Sequence, residues 1–362
     1  FDEDDRLYVY TSNKVFELSS DFKNVIGNQE GTEIFQRDAE ETGLLEGNQV
    51  IKKDGKYYLM MISWPQNGKR RQVVYRADKI TGPYNKKVLM EDNFLNFPYV
   101  GQGALIDDKN NNWYSLIFQD RNGVGRVPIL LPVKWENDWP VLGENGKVPL
   151  NGEVQLPPFK AKNHLVESDH FSSNQLKIQW QWNHNPVKNA WSLSERKGFI
   201  RLKTSRLVGN LYAAPNTLTQ RMEGPKSRGI VAIDLKGMKD GDVAGFSAFN
   251  GDSGVLCVVK EGNKKYIVFS TNSVSLDNKT KAITDVKKEE KKRILLNSDK
   301  VFLRIDSDFN LGKDLANFSF STDQKNWTEM AKDYKMIFDY RRLFMGSKFA
   351  IFNYATKNLG GY

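Results

Sequence analysis

Residues 41–63 read ETGLLEGNQVIKKDGKYYLMMIS, and this stretch decides the fold class. Its second part, Tyr57–Ile62, is a run of aromatic and aliphatic residues that is typical of a β-strand. Lys52–Gly55 has the Asp-Gly ending of a tight turn, and Val50 and Ile51 lead into that turn. The stretch therefore predicts a loop, a strand, a tight turn and a second strand.

A single acidic residue, Glu46, lies just before the first of these predicted strands. It stands between Leu44-Leu45 and Gly47. A carboxyl group with apolar neighbours can lose contact with water, which raises its pKa and suits it to donate a proton near neutral pH. The local sequence leaves two interpretations open for this residue, a general acid and a solvated loop residue.

Short apolar or alternating runs separated by turn residues continue to about residue 150. They are Leu7–Tyr10, Val15–Leu18, Gln72–Arg76, Ala104–Ile106 and Trp113–Phe118. No segment of useful length has the periodicity of a helix, so the sequence predicts an all-β architecture. Strand–turn–strand units at this spacing are typical of propeller blades or of a barrel.

The composition limits the classes of function. A length of 362 residues favours two domains, and 39% hydrophobic residues are sufficient for two sizeable cores. No stretch approaches the roughly 18 apolar residues of a membrane span. The net charge of +9 comes from scattered basic residues, which in Lys287–Arg293 are mixed with acidic ones. Because no nucleic-acid-binding motif accompanies these charges, we expect no nucleic-acid partner.

Cysteine and histidine usage gives no sign of a metal centre. The one cysteine, Cys257, lies in an apolar strand-like run and is interpreted as a small buried hydrophobic residue. It can form no intrachain disulfide, and no cysteine cluster offers a zinc site. The three histidines form no i, i+4 pair, so we interpret them as structural; they are His164, His170 and His184. A glycine-rich phosphate loop and a nucleophile elbow are also missing from the sequence.

Two further candidate residues lie between residues 101 and 142. Gln102 stands between two glycines just before a predicted strand, where the backbone can approach a neighbour closely. Arg126 begins the apolar strand Val127–Val133 after a turn at Asp120–Gly123. An arginine held at a strand start can present its planar guanidinium to a polar ligand. A surface arginine is the alternative interpretation.

The sequence pattern changes after a proline-bearing linker at residues 151–158, NGEVQLPP. Longer alternating strands follow at Phe199–Leu202, Val231–Leu235, Ala244–Phe249, Val255–Val259, Tyr266–Ser270, Val301–Ile305, Phe318–Ser321 and Phe349–Asn353. This pattern is typical of a β-sandwich or jelly roll. Residues 272–295 predict a long loop or a strand pair with exposed faces. Trp180 and Trp182 share one face at period two, and we interpret them as a core pair rather than a sugar platform.

Several stretches together resemble one enzyme family. In the first half they are Glu46–Leu59, Arg71–Tyr84 and Gly101–Leu142. In the second half they are Phe171-Ser172, Leu176–Pro186, Trp191–Leu202, Asn216–Arg221 and Phe352–Tyr362. The chain resembles glycoside hydrolase family 43, in its branch of β-xylosidases and α-L-arabinofuranosidases. The resemblance implies a five-bladed β-propeller, with its later part in residues 1–152, followed by a concanavalin-like β-sandwich in residues 153–362.

The resemblance also implies roles for three residues. Members of the family invert the anomeric centre with a general-acid Glu, a general-base Asp and a third Asp that orients the acid. Glu46 falls at the position of the acid, and Arg126 falls at the position that hydrogen-bonds the sugar in the innermost subsite. Gln102 stands where many members carry a histidine facing a central cation or water, a departure that puts metal binding in question. No cofactor is implied as a requirement, and a structural calcium ion is left open.

The two aspartates of the family have no matching position in this chain. The resemblance places both of them before Phe1, while Asp2, Asp4 and Asp5 match the turn that follows the orienting aspartate. We therefore assign neither role to these three residues. The sequence is expected to be an N-terminally truncated piece of its protein, which has the acid and lacks the other two carboxylates.

These implications predict an inverting glycoside hydrolase that releases terminal xylose or arabinose from plant hemicellulose. Its expected partners are an oligo- or polysaccharide of the xylan or arabinoxylan type and the missing N-terminal segment of the propeller. The alternatives are a catalytically inactive carbohydrate-binding relative and an endo-acting arabinanase or xylanase. The size of the substrate leads us to expect secretion, to the periplasm or the cell surface.

Overall fold

A computed structural model describes residues 2–97, 99–108, 110–160 and 164–362. Phe1 and Lys109 belong to stretches interpreted above and lie outside the described residues. Within the described ranges, regular structure consists of strands and two short 3-10 helices, Asn122–Val124 and Lys188–Ala190. The predicted all-β architecture is confirmed. Neither helix in this described part is long or apolar enough to span a membrane.

The chain divides into two compact units, of which the first comprises residues 1–121 and 126–159. Its strands are β1 Leu7–Thr11, β2 Lys14–Leu18, β3 Val25–Ile26, β4 Thr32–Glu33, β5 Leu44–Lys53, β6 Lys56–Trp64, β7 Arg71–Ala77, β8 Asn85–Met90, β9 Val100–Asp107, β10 Trp113–Asp120, β11 Arg126–Glu136 and β12 Trp139–Leu142. Among the described residues they form three antiparallel sheets of four strands: β1 to β4, β5-β6-β7-β8 and β12-β11-β10-β9. The last two have the consecutive strand order of propeller blades.

The β5–β6 hairpin forms where the sequence predicts it. Asp54 and Gly55 both have positive φ, 49° and 76°, as the two central residues of a tight hairpin turn of type I′ require. In β6, Leu59 and Met61 pack in the core beside the first sheet, and Tyr58 and Met60 pack in the core beside the third. Because β6 is covered on both faces, its sequence is continuously apolar instead of alternating.

The second unit comprises residues 122–125 and 160–362. Its strands are β13 Gln181–Trp182, β14 Trp191–Ser192, β15 Arg201–Leu202, β16 Leu218–Arg221, β17 Lys226–Asp234, β18 Asp242–Phe249, β19 Asp252–Glu261, β20 Lys264–Leu276, β21 Ile283–Leu296, β22 Lys300–Asp308, β23 Leu315–Ser321, β24 Thr328–Lys335 and β25 Lys348–Ala355. A seven-stranded sheet has the order β13-β16-β25-β18-β19-β20-β21, and a four-stranded sheet has the order β17-β22-β23-β24. Leu256 and Phe269 of the first sheet and Leu303 and Phe318 of the second share one core, as in a β-sandwich.

Several predictions for the second half can be compared with these strands. The predicted strand at 199–202 is too long, since only Arg201–Leu202 pair in β15. Residues 272–295 form most of the β20–β21 hairpin, which confirms the strand-pair alternative. Trp180 and Trp182 pack against the sandwich core, which confirms their interpretation as core residues. Cys257 is buried in β19, and its burial raises the pKa of the thiol to about 12.

Lys348, the first residue of β25, is a buried cation in this unit. It is 7% exposed, and its Nζ donates to Gln181 Oε1 at 2.5 Å. Burial, together with the positive charge of Arg221, lowers the pKa of Lys348 to about 8 from an ordinary value of 10.5. Between these two pH values the unfolded chain binds a proton that the folded chain has lost, so this residue makes the free energy of unfolding rise with pH.

We predict that Lys348→Met removes this rise. Relative to the unsubstituted chain, the variant should gain stability below pH 8 and lose that gain, on the order of 3 kcal/mol, by about pH 10.5. Chemical denaturation at several pH values measures the difference, and exposed Lys332→Met is the matched control. A difference between Lys348→Met and the unsubstituted chain that does not change with pH would contradict the prediction.

Candidate active site

Glu46 lies in β5 and is paired with Ile62 of β6. The prediction that it precedes the strand is wrong, since β5 begins at Leu44. Of the two interpretations left open for its surroundings, the structure shows a side chain exposed to solvent and not one buried by its apolar neighbours. Successive side chains of a strand point to opposite faces, so Leu45 enters the core while Glu46 is exposed. A carboxylate in this position can be reached by a ligand.

An irregularity in β5 directly follows Glu46. The pairing with β6 shifts between Glu46 and Gln49, which leaves Gly47 and Asn48 outside the ladder, and Gly47 has a φ of +76°. A Cβ atom on Gly47 would lie 2.8 Å from Nε2 of Gln102. The glycine is therefore required both for the backbone turn and for the close approach of Gln102. This contact places the Gln102 side chain beside the residue that follows Glu46.

Gln102 is held at a second irregularity, in β9. Gly101 pairs with Phe118 and Gly103 with Ile117, so Gln102 is the extra residue of a β-bulge, and its φ is +64°. Its backbone N–H donates to the side-chain Oε1 of Gln72 at 2.7 Å. Bulges of this kind redirect a side chain out of the sheet pattern. The two flanking glycines, noticed in the sequence, are therefore explained by the bulge.

Asp120 joins two arginines into a cluster. Its Oδ2 accepts from Arg70 Nη1 at 2.6 Å, and its Oδ1 accepts from Arg126 Nε at 3.0 Å. The two guanidinium carbons lie 4.8 and 4.2 Å from the ring centroid of Phe118. Asp120 and Arg126 are direct partners across the β10–β11 pair, so the hairpin register itself aligns this ion pair. The orientation of Arg126 is thereby determined by two neighbouring residues.

Arg70 connects this cluster to Glu46 and Gln102. Its side chain is 4% exposed, and its Nη2 donates to the carbonyl oxygen of Gly101, the neighbour of Gln102, at 3.4 Å. Burial lowers the pKa of Arg70, while the negative charges of Asp120 and Glu46 act in the opposite direction. All three residues singled out in the sequence therefore lie in one neighbourhood.

Sequence reasoning missed Arg70 and Asp120. Arg70 lies in the basic stretch 68–71, GKRR, which by itself resembles a solvated turn, and the sequence predicts only a turn at Asp120. The signal that could have found Asp120 is the hairpin register, which pairs it with Arg126. No local signal marks Arg70, because its burial depends on contacts with residues about 30 and 50 positions away.

The chemical groups of this neighbourhood fit a hydroxyl-rich ligand. An exposed carboxyl group can donate or accept a proton, while an arginine and an amide can hydrogen-bond hydroxyl groups in fixed orientations. In the part of the chain that the structure describes, no group of three or more His, Cys, Asp or Glu side chains is placed to hold a metal ion.

Comparison with known proteins gives a consistent result along the chain. Residues 1–140 match the model of glycosyl hydrolases family 43, and residues 168–362 match that of the beta xylosidase C-terminal concanavalin A-like domain. The predicted concanavalin-like sandwich is confirmed. A putative beta-xylosidase of Xylanibacter ruminicola is 32% identical over 249 residues, which are 66% of this chain and 46% of the relative. A beta-xylosidase of Formosa agariphila is 29% identical over 310 residues, 71% of this chain and 50% of the relative. The chain spans about half the length of these curated relatives.

Solved structures agree with the sequence comparison. A bifunctional GH43-CE protein of Bacteroides eggerthii superposes with a TM-score of 0.87 at 37% identity, covering 100% of this chain and 46% of that protein. A GH43 glycoside hydrolase engineered to display both endo-xylanase and exo-arabinofuranosidase activity superposes with a TM-score of 0.82 at 26% identity. That alignment covers 99% of this chain and 71% of the engineered enzyme.

Proposed function

The chain belongs to glycoside hydrolase family 43, and from this premise we propose that its protein is an inverting glycosidase that releases terminal xylose or arabinose from hemicellulose. The observation that carries the proposal is the exposed carboxyl group of Glu46 beside Gln102 and the Arg70–Asp120–Arg126 cluster. Relatives named beta-xylosidase and non-reducing end alpha-L-arabinofuranosidase support the same substrate class.

In the proposed reaction, Glu46 donates its proton to the glycosidic oxygen as the bond to the sugar breaks. An inverting enzyme needs this acid on one side of the sugar and a base, with a water molecule, on the other, at a separation of about 6.5–9.5 Å. Arg126 and Gln102 hydrogen-bond the hydroxyl groups of the terminal sugar. Asp120 accepts from Arg126 Nε and so aligns the planar guanidinium, a group whose N–H donors suit the hydroxyl groups of a sugar.

The general base and the orienting aspartate are proposed to lie outside this chain. The first acidic residues of the chain already have other partners. Asp2 accepts from the hydroxyl of Tyr57 at 2.6 Å and from Lys52 at 3.3 Å, and Asp4 accepts from Arg6 at 2.6 Å. The hydrogen bond from Tyr57 lowers the pKa of Asp2 most strongly. A carboxylate held in this way is a poor base, which supports leaving Asp2 and Asp4 unassigned.

The substrate is proposed to be an oligosaccharide or polysaccharide of the xylan or arabinoxylan type. An exo-acting enzyme accords with the sandwich domain, which in this family commonly accompanies exo-acting members. Because such polymers do not cross membranes, we also propose secretion, to the periplasm or the cell surface. No cofactor is required for the acid–base chemistry of this family.

The proposal is tested with the complete natural protein and two chromogenic substrates, 4-nitrophenyl β-D-xylopyranoside and 4-nitrophenyl α-L-arabinofuranoside. We expect hydrolysis of at least one, and proton NMR of the first product should show the inverted anomer. Reaction with xylo-oligosaccharides should release one pentose at a time. A retained anomer, or products longer than one sugar, would contradict the inverting exo mechanism. Binding of these oligosaccharides without hydrolysis would favour the inactive relative.

A further inference from the structure

An exposed aromatic pair lies at the same end of β5 and β6 as Glu46. Trp64, the last residue of β6, and Tyr99, just before β9, are each 37% exposed. Their ring centroids are 4.9 Å apart. Leu44, the partner of Trp64 in the β5–β6 ladder, is also exposed. Large apolar side chains that remain exposed together at a candidate site are typical of ligand contact.

The strand register gives the position of this pair relative to Glu46. Along β5, the Leu44–Trp64 pair comes first, the Glu46–Ile62 pair follows, and Gly47 with its contact to Gln102 comes next. Successive pairs on one face are about 6.6 Å apart along the strands. Glu46 therefore lies between Gln102 on one side and the aromatic pair on the other.

The chain that leads into β9, in the neighbouring sheet, has its contacts with β6 in the same order. A Cβ atom on Gly101 would lie 2.6 Å from Cδ1 of Ile62, so Gly101 is packed against the Glu46–Ile62 pair. Tyr99 precedes Gly101 by two residues, just as Trp64 follows Ile62 by two. The ring contact between Tyr99 and Trp64 is thus the contact that follows the Gly101–Ile62 contact, two residues further along each chain segment.

The backbone at Tyr99 is held in an unfavourable conformation. Its φ is +73°, which is rare and unfavourable for a bulky residue. The preceding loop is anchored by the buried side chain of Gln119, whose Nε2 donates to the carbonyl oxygens of Phe94 at 2.9 Å and Phe97 at 2.7 Å. Such strain is typically retained at functional sites, and here it accompanies a ring that stays exposed beside Trp64.

We propose that Trp64 and Tyr99 form a stacking platform for the sugar on the leaving-group side of the bond that is cleaved. This rests on the proposed function, because it takes Glu46 as the acid and Arg126 and Gln102 as the holders of the terminal sugar. The leaving group must depart on the other side of Glu46, where the aromatic pair lies. The faces of a sugar ring carry C–H groups that pack on aromatic rings, so this platform selects a ring at that position without requiring a charge.

The test compares two substrates of the complete protein that share the same terminal pentose. One is an oligosaccharide, and the other is a glycosyl fluoride, whose leaving group has no ring. Trp64→Ala and Tyr99→Ala should each lower kcat/KM for the oligosaccharide about tenfold, which corresponds to about 1.4 kcal/mol. The value for the glycosyl fluoride should stay within about twofold. Trp64→Phe and Tyr99→Phe, which keep a ring, should retain most of the activity toward the oligosaccharide.

Phe159→Ala, which removes an 84% exposed aromatic ring elsewhere, is the matched control and should leave both substrates unaffected. An equal loss on both substrates in the Trp64 and Tyr99 variants would show a structural role and overturn the platform. Unchanged activity on the oligosaccharide would overturn it as well. If the unsubstituted protein hydrolyses neither substrate, this result contradicts the proposed function itself, and the platform proposal that rests on it is overturned with it.

Discussion

Replacing Glu46 with glutamine in the complete protein is expected to lower kcat on a pentoside with a poor leaving group by about 10²–10⁴-fold. This is the usual contribution of a positioned general acid, and glutamine has no comparable proton to donate. The amide has nearly the shape of the carboxyl group, and Glu46 is exposed in a paired strand, so folding should be unaffected. The loss is therefore expected in the chemical step and not in stability.

The leaving group separates this role from simple substrate binding. An aryl leaving group with a low pKa departs without protonation, so Glu46→Gln should lose much less activity on a dinitrophenyl pentoside than on an oligosaccharide. A uniform loss on all substrates would contradict the assignment.

Glu136→Gln provides the matched control for Glu46→Gln. Glu136 is also an exposed glutamate in a strand of the first unit, but it ends β11, ten residues beyond Arg126. Its partner is Trp139, in the hairpin that turns away from the Arg126 end of the strand. The control variant should keep the kcat of the unsubstituted protein on every substrate.

The strands could be predicted from the sequence wherever local chemistry determines them. The Asp54-Gly55 turn and the apolar run after it specify the β5–β6 hairpin, and alternation specifies the long strands of the sandwich. Short strands were predicted less well. At β15, only Arg201–Leu202 pair, because pairing there depends on Trp191 and Ser192 nine or more residues earlier rather than on local propensity.

The candidate site was predictable only in part. Glu46, Gln102 and Arg126 were identified through family resemblance, and the two glycines around Gln102 indicated a close backbone approach. The position of Glu46 before the strand was predicted wrongly, because β5 already begins at Leu44. Its exposure, which the sequence left open, follows from the alternation that sends Leu45 to the other face. Arg70 and Asp120 depend on pairing between distant segments, which a single sequence does not reveal.

The second large effect is expected at Glu41, which lies in the loop before β5. Its side chain is 0% exposed and accepts from Arg71 Nη2 at 2.8 Å, from Lys86 Nζ at 2.8 Å and from the hydroxyl of Ser63. Removing one partner of a buried ion pair leaves the other charge without compensation, at a cost of about 3–5 kcal/mol. We expect Glu41→Gln to lower the free energy of unfolding by about 3 kcal/mol, because Asp38 and Glu40 still reach Lys86.

Glu40→Gln is the matched control, since Glu40 is the adjacent residue and reaches the same two cations. Its side chain is 68% exposed and lies 3.2 Å from Arg71, so water screens its pairs. Exposed ion pairs contribute about 0–1 kcal/mol, and the control should lose no more than that. Chemical denaturation at pH 7 measures both variants, and equal losses would contradict the importance of burial at Glu41.

The dependence on pH gives a second, independent test of Glu41. Burial alone would raise the pKa of Glu41, but hydrogen bonds from the side chains of Lys86, Ser63 and Arg71 hold this pKa below its ordinary value of 4.5. A carboxyl group whose pKa is lower in the folded chain stabilises it fully above the unfolded value, and that contribution is lost as the pH falls through the folded value. The stability difference between the unsubstituted chain and Glu41→Gln should therefore be constant from about pH 6 to 7 and shrink below about pH 4.5. Because Ser63 lies between Ile62 and Trp64 in β6, this buried anchor also stabilises the strand that carries the proposed platform.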